Sequence, residues 1–438
     1  MMRQLQSDSP AGEVLSQVPE SWTVTKLRRV LAMPITDGPH ETPMLVEEGI
    51  PFISAEAVSS GYGSINFAKM RGFITEDYCA QCDLKYVPKR DDIYMIKSGA
   101  TTGRVAMVET DRRFTIWSPL AAIRANGAII MPRFLFYALT SDAFQIQVEM
   151  TWNFGTQQNI GMRALERLLV AVPPRREQAF IVKHLDTVTA EIDGVKSKLR
   201  EQRKHLESYK QQTIAKTVKH GLNNEVPTKN SGIAWIGSVP SHWDIRTLSY
   251  LTDENKVKNT DLREKNLLSL SYGRLIRKDI EDAFGLLPAS FDGYQIVEDG
   301  YIILRMTDLQ NDHRSLRTAL ATERGIITNA YIGLIPRPGV SSRYLAWMLR
   351  AIDLQKIFYG LGSGVRQSLN YNELRKLPAL LPPLDEQEAI ADFIDGKSDE
   401  INALIADIDR QVELLDTYRK QLISDVVTGK IRVSEDAS

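Results

Sequence analysis

The stretch "VPPRREQ" (Val172 to Gln178) recurs as "LPPLDEQ" (Leu381 to Gln387). Each copy writes Pro-Pro-x-x-Glu-Gln ahead of a long run with helical spacing. Pro174 and Pro383 suit the approach to a helix, and Glu177 and Glu386 suit its first turn, where the peptide dipoles favour negative charge. After the first copy, apolar residues fall at Ile181, Leu185, Val188, Ile192, Val195, Leu199 and then Leu206. Steps of four and three make a heptad seam. The second copy places Ile390, Ile394, Ile401, Leu404, Ile408 and Leu415 in the same way, and Gly221 and Gly429 suit the helix ends. About 45 residues at 1.5 Å each give a helix of roughly 65 Å. One such helix cannot bury a narrow stripe alone. Two in one chain can pair, and related halves predict an antiparallel coiled coil with the two Pro-Pro motifs at opposite ends. In the other arrangement, each helix packs only on its own globular domain.

Outward from these motifs the chain repeats itself. "VPESWTVTKL" begins at Val18 and "VPSHWDIRTL" at Val239, so Trp22 matches Trp243. "GTQQNIGMRALERLLVAVPPRREQ" from Gly155 matches "GVRQSLNYNELRKLPALLPPLDEQ" from Gly364, and Tyr209 later matches Tyr418. The offset is 221 at the tryptophans and 209 at the Pro-Pro motifs. A period this long excludes a solenoid. It predicts two homologous domains in an α+β chain. The middles, roughly Leu31 to Met150 and Leu251 to Tyr359, scarcely correspond in sequence.

Those middles read as mixed α/β. "IPFISA", "DIYMIKSG", "GYIILRM" and "AYIGLIP" are strand candidates, bounded by Gly, Pro or Asp. Arg133 to Met150 and Arg343 to Gly360 have helical spacing. Polar and basic residues gather in the loops between. "KSGATTGR" holds Lys97, Ser98, Thr101, Thr102 and Arg104, and the Gly-x-x-Gln segment holds Thr156, Gln157 and Gln158. In the second half the candidates are Tyr272, Arg274, Arg277 and Lys278, then Asn311, Arg314 and Arg317, then Arg366, Gln367 and Ser368. Such side chains can hold phosphates or read base edges. Taken singly, each also suits a solvated loop.

With 43% hydrophobic and 25% charged residues, the composition is that of a globular protein. The N-terminus has no apolar core of a secretory signal, and no run suits a membrane span, so a cytoplasmic protein is expected. The net charge of −1 hides an uneven distribution. Residues 381–438 carry 6 basic and 14 acidic groups, whereas 173–228 carry 11 and 7. Cys79 and Cys82 lack the second ligand pair of a structural zinc site and read as incidental thiols. "GATTGR" fails the phosphate-loop pattern, with three residues between its glycines and no Lys-Ser/Thr after. No methyltransferase, hydrolase or nuclease signature is found. The expectation is a binder and organiser with no catalytic, cofactor or metal site.

Taken together, the paired P-x-x-W openings, both PP-x-x-EQ motifs and the endings "YKQQTIAKTVKHGL" and "YRKQLISDVVTGKI" resemble the specificity subunit of Type I restriction-modification enzymes. The resemblance runs from about Val18 to Val433. It implies two target-recognition domains, each reading one half of a split DNA site, with spacer helices setting the interval. It implies a tail at 1–17, readers at 18–172 and 239–380, spacer helices at 173–222 and 381–430, a linker at 223–238 and a tail at 431–438. The partners it implies are double-stranded DNA and two methylation subunits, with restriction subunits as an optional third, and no membrane. S-adenosylmethionine, ATP and Mg2+ would sit on those partners. The rival reading is a coiled-coil adaptor that does not read DNA.

Overall fold

The computed structural model describes residues 15, 18–151, 153–154, 158–260, 263–278, 291, 293–312, 316–361 and 368–433. The chain divides into two units, Met1–Leu199 with Arg410–Ser438, and Arg200–Asp409. Among the described residues, no helix is long and apolar enough to cross a membrane.

In the first unit, Thr23–Lys26 pairs antiparallel with Leu169–Val172 and closes the domain at its base. Above it lies a four-stranded antiparallel sheet in the order Thr36–Asp37, Leu120–Ile123, Ile93–Ile96, Val105–Met107. The two central strands are buried on both faces, so their alternation serves two cores. Ile93, Met95, Ala121 and Ile123 face one cluster with Phe134 and Leu135, while Tyr94, Ile96, Leu120 and Ala122 face another with Val58 and Phe114.

The second unit repeats this plan. Asp244–Thr247 pairs with Pro378–Leu381, and a sheet runs in the order Thr252–Glu254, Ile332–Pro336, Ile302–Leu304, Thr318–Leu320. The middles therefore correspond far more closely in structure than in sequence. A buried strand constrains only apolar character and alternation, so Ile93-Tyr-Met-Ile and Ile302-Ile-Leu fill equivalent places without sharing a motif.

All four expected strands form, at Ile50–Ile53, Ile93–Ile96, Ile302–Leu304 and Ile332–Pro336. The helical run from Arg133 is broken in two, Pro132–Thr140 and Asp142–Met150, by Ser141, whose hydroxyl accepts from the Phe144 N–H at 3.4 Å. Its counterpart is one helix, Ser342–Leu354, followed by a short 3-10 turn.

The two long helices are Arg175–His220 and Leu384–Val427. In the first unit Arg419 reaches Asp193 at 2.6 Å, and Lys196 pairs with Asp416. In the second unit Arg203 meets Asp409 at 2.9 Å, and Lys210 donates to Asn402 at 2.8 Å. Within each unit partner numbers fall as helix numbers rise, so the segments run antiparallel. Ile181, Leu185, Ile192, Ile390, Ile394, Ile401 and Ile408 are buried as the seam requires. Val195 and Leu404 are not, being 47% and 46% exposed, and Thr189, Lys196 and Ser398 are buried instead. A helix of 3.6 residues per turn drifts off a 3.5-residue repeat, so a seam extrapolated in strict heptads slips by one position.

Candidate nucleic-acid interface

Each Pro-Pro-x-x-Glu-Gln motif fastens a loop-bearing domain to its helix. Glu177 accepts the Trp22 indole N–H at 2.7 Å, and Glu386 accepts that of Trp243 at 2.9 Å. Gln178 and Gln387 are buried. The first accepts from the Met131 N–H at 2.7 Å and donates to the Pro173 carbonyl; the second accepts from the Ser341 N–H at 2.8 Å and donates to that of Pro382. Met131 and Ser341 are the N-caps of the helices packed on the two sheets. Arg133 on one such helix bonds Asp186, and Arg343 on the other bonds Asp395. The end of the opposite long helix completes each node. A Cβ on Gly429, at φ 74°, would lie 2.3 Å from Pro19 and 3.4 Å from Trp22. A Cβ on Gly221, at φ 71°, would lie 2.8 Å from Glu386 and 3.1 Å from Trp243. Each motif thus sits beside the end of the other helix, as the antiparallel reading requires.

In the first unit "KSGATTGR" forms a tight connection between the third and fourth sheet strands. The Gly103 N–H returns to the Ile96 carbonyl at 2.8 Å, and the Thr102 hydroxyl bonds the Gly99 carbonyl at 2.7 Å. The Gly-x-x-Gln segment is brought against it. Gln158 opens the strand Gln158–Asn159, Ser98 bridges Asn159, and the Ile160 N–H donates to the Lys97 carbonyl at 2.9 Å. Two candidate groups far apart in sequence therefore share one edge. Thr156 and Gln157 lie outside the described residues. Lys97 is held by the buried Asp37 at 3.0 Å, with Lys85 on the other carboxylate oxygen. Burial pushes the Asp37 carboxyl up, but the two lysines outweigh it and hold it below its ordinary value. Thr101 is half-buried, while Arg104 is exposed and donates to the Ser59 carbonyl at 3.1 Å. Thr102 and Arg104 line a shallow pocket of about 260 Å³ with Tyr62.

In the second unit Tyr272 and Gly273 turn a hairpin between Leu268–Ser271 and Arg274–Arg277. Tyr272, Arg274, Arg277 and Lys278 are all exposed on it. Arg277 is bound by Glu323 through both of its oxygens, at 2.9 Å from Nε. Arg350 props the hairpin, donating to the Gly273 carbonyl and the Thr318 hydroxyl, each at 2.8 Å. Burial pulls this guanidinium down to about 10. The Lys210 ammonium is also held low, by burial first and then by the charges of Arg274 and Arg350. Asn311 is exposed and donates to Asp308 at 2.8 Å. Ser368 is exposed beside Leu369, whose N–H bonds the Met306 carbonyl at 2.9 Å, matching Ile160 on Lys97. Arg314, Arg366 and Gln367 lie outside the described residues.

Arg317 corrects its expectation as a surface contact. Its side chain is fully buried and donates to the carbonyls of Thr307 at 2.7 Å, Asp308 at 3.2 Å and Asp312 at 2.5 Å. A guanidinium spent on three carbonyls shapes the turn from within. Sequence reading missed Tyr62 altogether; the signal available was a Tyr-Gly pair in both halves, at Tyr62 and Tyr272. Cys79 and Cys82 are free, and burial pushes both thiols up, which keeps them protonated at neutral pH.

Two domains of one plan, each fixed to a long helix and each carrying different polar loops, define a duplicated architecture. Residues 19–202 match the family described as Type I restriction modification DNA specificity domain. The whole chain is similar to a protein of Methanocaldococcus jannaschii assigned as the type I restriction enzyme MjaX specificity subunit. Identity is 24% over 96% of both chains. About half of it, 49%, aligns at 22% identity with 44% of the EcoBI specificity subunit of Escherichia coli. Two solved structures share the fold. One, from work on assembly and conformational transition of the type I R-M system, gives a TM-score of 0.68 at 18% identity over 94% of this chain and 99% of that one. The other, the HsdS subunit from Thermoanaerobacter tengcongensis, gives 0.51 at 17% over 94% and 98%. By these comparisons the chain carries a match to that specificity domain in its first half and is similar over nearly its whole length to a type I specificity subunit.

Proposed function

We propose that this chain reads a split, asymmetric site in double-stranded DNA, one half per domain, as the specificity subunit of a type I restriction-modification complex. The observation that carries the proposal is the repeated sheet order, which holds unlike loops on like frames. Equal frames give equal mounting on the helices. Unlike loops give unlike half-sites. Exposed cations such as Arg104, Arg274 and Lys278 suit phosphate contact, which sets register. Amide groups such as that of the exposed Asn311 suit base reading.

In this reading the chain is cytoplasmic and supplies binding without catalysis. Two methylation subunits would carry S-adenosylmethionine and transfer methyl groups to adenine N6. Restriction subunits, where present, would bring ATP, Mg2+ and cleavage. The test is to co-express the full chain with the methylation subunit of its host and sequence the methylated DNA. A two-part motif that vanishes when this chain is omitted is the expected result. Methyl transfer by the chain alone, or a motif indifferent to its loops, would overturn the proposal.

A further inference from the structure

We infer that Tyr62 and Tyr272 are matched register contacts, each laying its ring on a deoxyribose and donating its hydroxyl to a phosphate of its own half-site. The inference rests on the DNA-reading proposal above. Both tyrosines adopt a left-handed backbone, at φ 51° and 46°, and each precedes a glycine at positive φ, Gly63 at 103° and Gly273 at 78°. A bulky side chain is strained there, where glycine or asparagine would sit at less cost. Packing does not repay the strain, since the two residues are 78% and 83% exposed.

The two turns occupy equivalent places. Each lies after a segment linked in parallel to the one before the second sheet strand, through Ile53 with Ile116 and Leu267 with Ile326; the helix Ala55–Ser59 intervenes before Tyr62, whereas the strand Leu268–Ser271 leads directly into Tyr272. Each rests on the fourth strand of its sheet. The Gly63 carbonyl accepts from the Met107 N–H at 2.8 Å, and the Gly273 carbonyl accepts from Arg350, which also holds Thr318. Each glycine presses on the helix behind, where an added Cβ would come 3.0 Å from Phe136 or 2.2 Å from Arg350. Both glycines are hydrogen-bonded to the fold, while both tyrosines are exposed. An arginine accompanies each, Arg104 in the pocket of Tyr62 and Arg274 next after the Tyr272 turn.

The surrounding loops differ between the domains, so they suit different bases. What the two domains share must meet what two unlike half-sites share, which is the sugar-phosphate backbone. Tyrosine suits that role, with a flat apolar face for the sugar and an O–H for the phosphate.

The test uses the full chain assembled with methylation subunits, and Tyr62→Asn and Tyr272→Asn. Each variant should weaken duplex binding about 10-fold, the effect of losing a hydrogen bond to a charged group. Tyrosine is neutral, so the slope of log affinity against log salt should stay unchanged, whereas Arg274→Ala should reduce it by about 1. The methylated motif should also stay the same, and the Tm should hold or rise, because asparagine accepts the left-handed turn. Binding within about twofold of wild type would overturn the inference. So would an altered motif, which would make the tyrosines base readers, or a lower Tm in both variants, which would make them structural. If the wild-type assembly neither binds nor methylates a defined duplex, the DNA-reading proposal itself falls.

Discussion

Single residues show how charge in these domains is spent before any ligand arrives. Arg317 is the extreme case, buried and shared among three carbonyls. Arg317→Ala should destabilise the second unit by about 3 kcal/mol, because it orphans three partly buried carbonyls at once and empties a fully buried site. Urea unfolding of the full chain measures this; a loss well under 1 kcal/mol would mean the turn closes without it. Asp37 shows the same economy with opposite charge. Its folded carboxyl titrates below the ordinary 3.8, because Lys85 and Lys97 outweigh burial. The stabilisation is therefore complete above that ordinary value and disappears as pH falls through the lower folded one. Asp37→Asn should lower the Tm at neutral pH and flatten its decline on acidification. Parallel Tm-against-pH curves for wild type and variant would refute the assignment. Neither residue's role could be read from sequence, since an arginine or aspartate in a polar loop looks alike whether it faces water or the core.

Among elements, the node of tryptophan, glutamate and helix-terminal glycine decides how each domain meets its helices. Glu386 accepts from His242 at 2.9 Å as well as from Trp243, whereas the Trp22 node has no histidine at the matching Ser21. Trp22→Phe should therefore cost more than Trp243→Phe, roughly 1–2 kcal/mol against a fraction of that. Chemical denaturation of the two variants side by side decides it, and equal losses would show that His242 contributes nothing. The node also explains how far the sequence was legible. Glu177 and Gln178 could be read as a helix start, because capping and dipole preferences are local. Their real partners, Trp22 and the Met131 N–H, lie 155 and 47 residues away, and only folding brings them together. The long helices were legible because their apolar period is long and unbroken. The slip at Val195 and Leu404 was not, since a one-position drift changes no residue type. The shared sheet of the middles escaped notice because strands keep alternation and discard identity. The candidate loops could be found by composition, but composition could not separate Arg274, exposed, from Arg317, buried.

At the scale of the whole molecule, continuity of the helices is the feature that function would use. Arg175–His220 and Leu384–Val427 each contribute residues to both units, which divide at Leu199 and Asp409. The pairing of Arg203 with Asp409 and of Lys196 with Asp416 shows which residues of the two helices are apposed near that boundary. Seven residues inserted after Leu199 alone would shift one seam against the other and leave apolar side chains unpaired. Seven inserted after both Leu199 and Asp409 would preserve the pairing, since a heptad nearly completes two turns. The helices would then lengthen by about 10 Å, close to three base pairs at roughly 3.4 Å each. In the assembled complex the double insertion should leave both halves of the methylated motif intact and widen the gap between them by about three base pairs. The single insertion should lower the Tm and abolish methylation. If the double insertion methylates the original motif with its original gap, the helices do not set the spacing, and the duplicated domains must find their half-sites through some flexible joint instead.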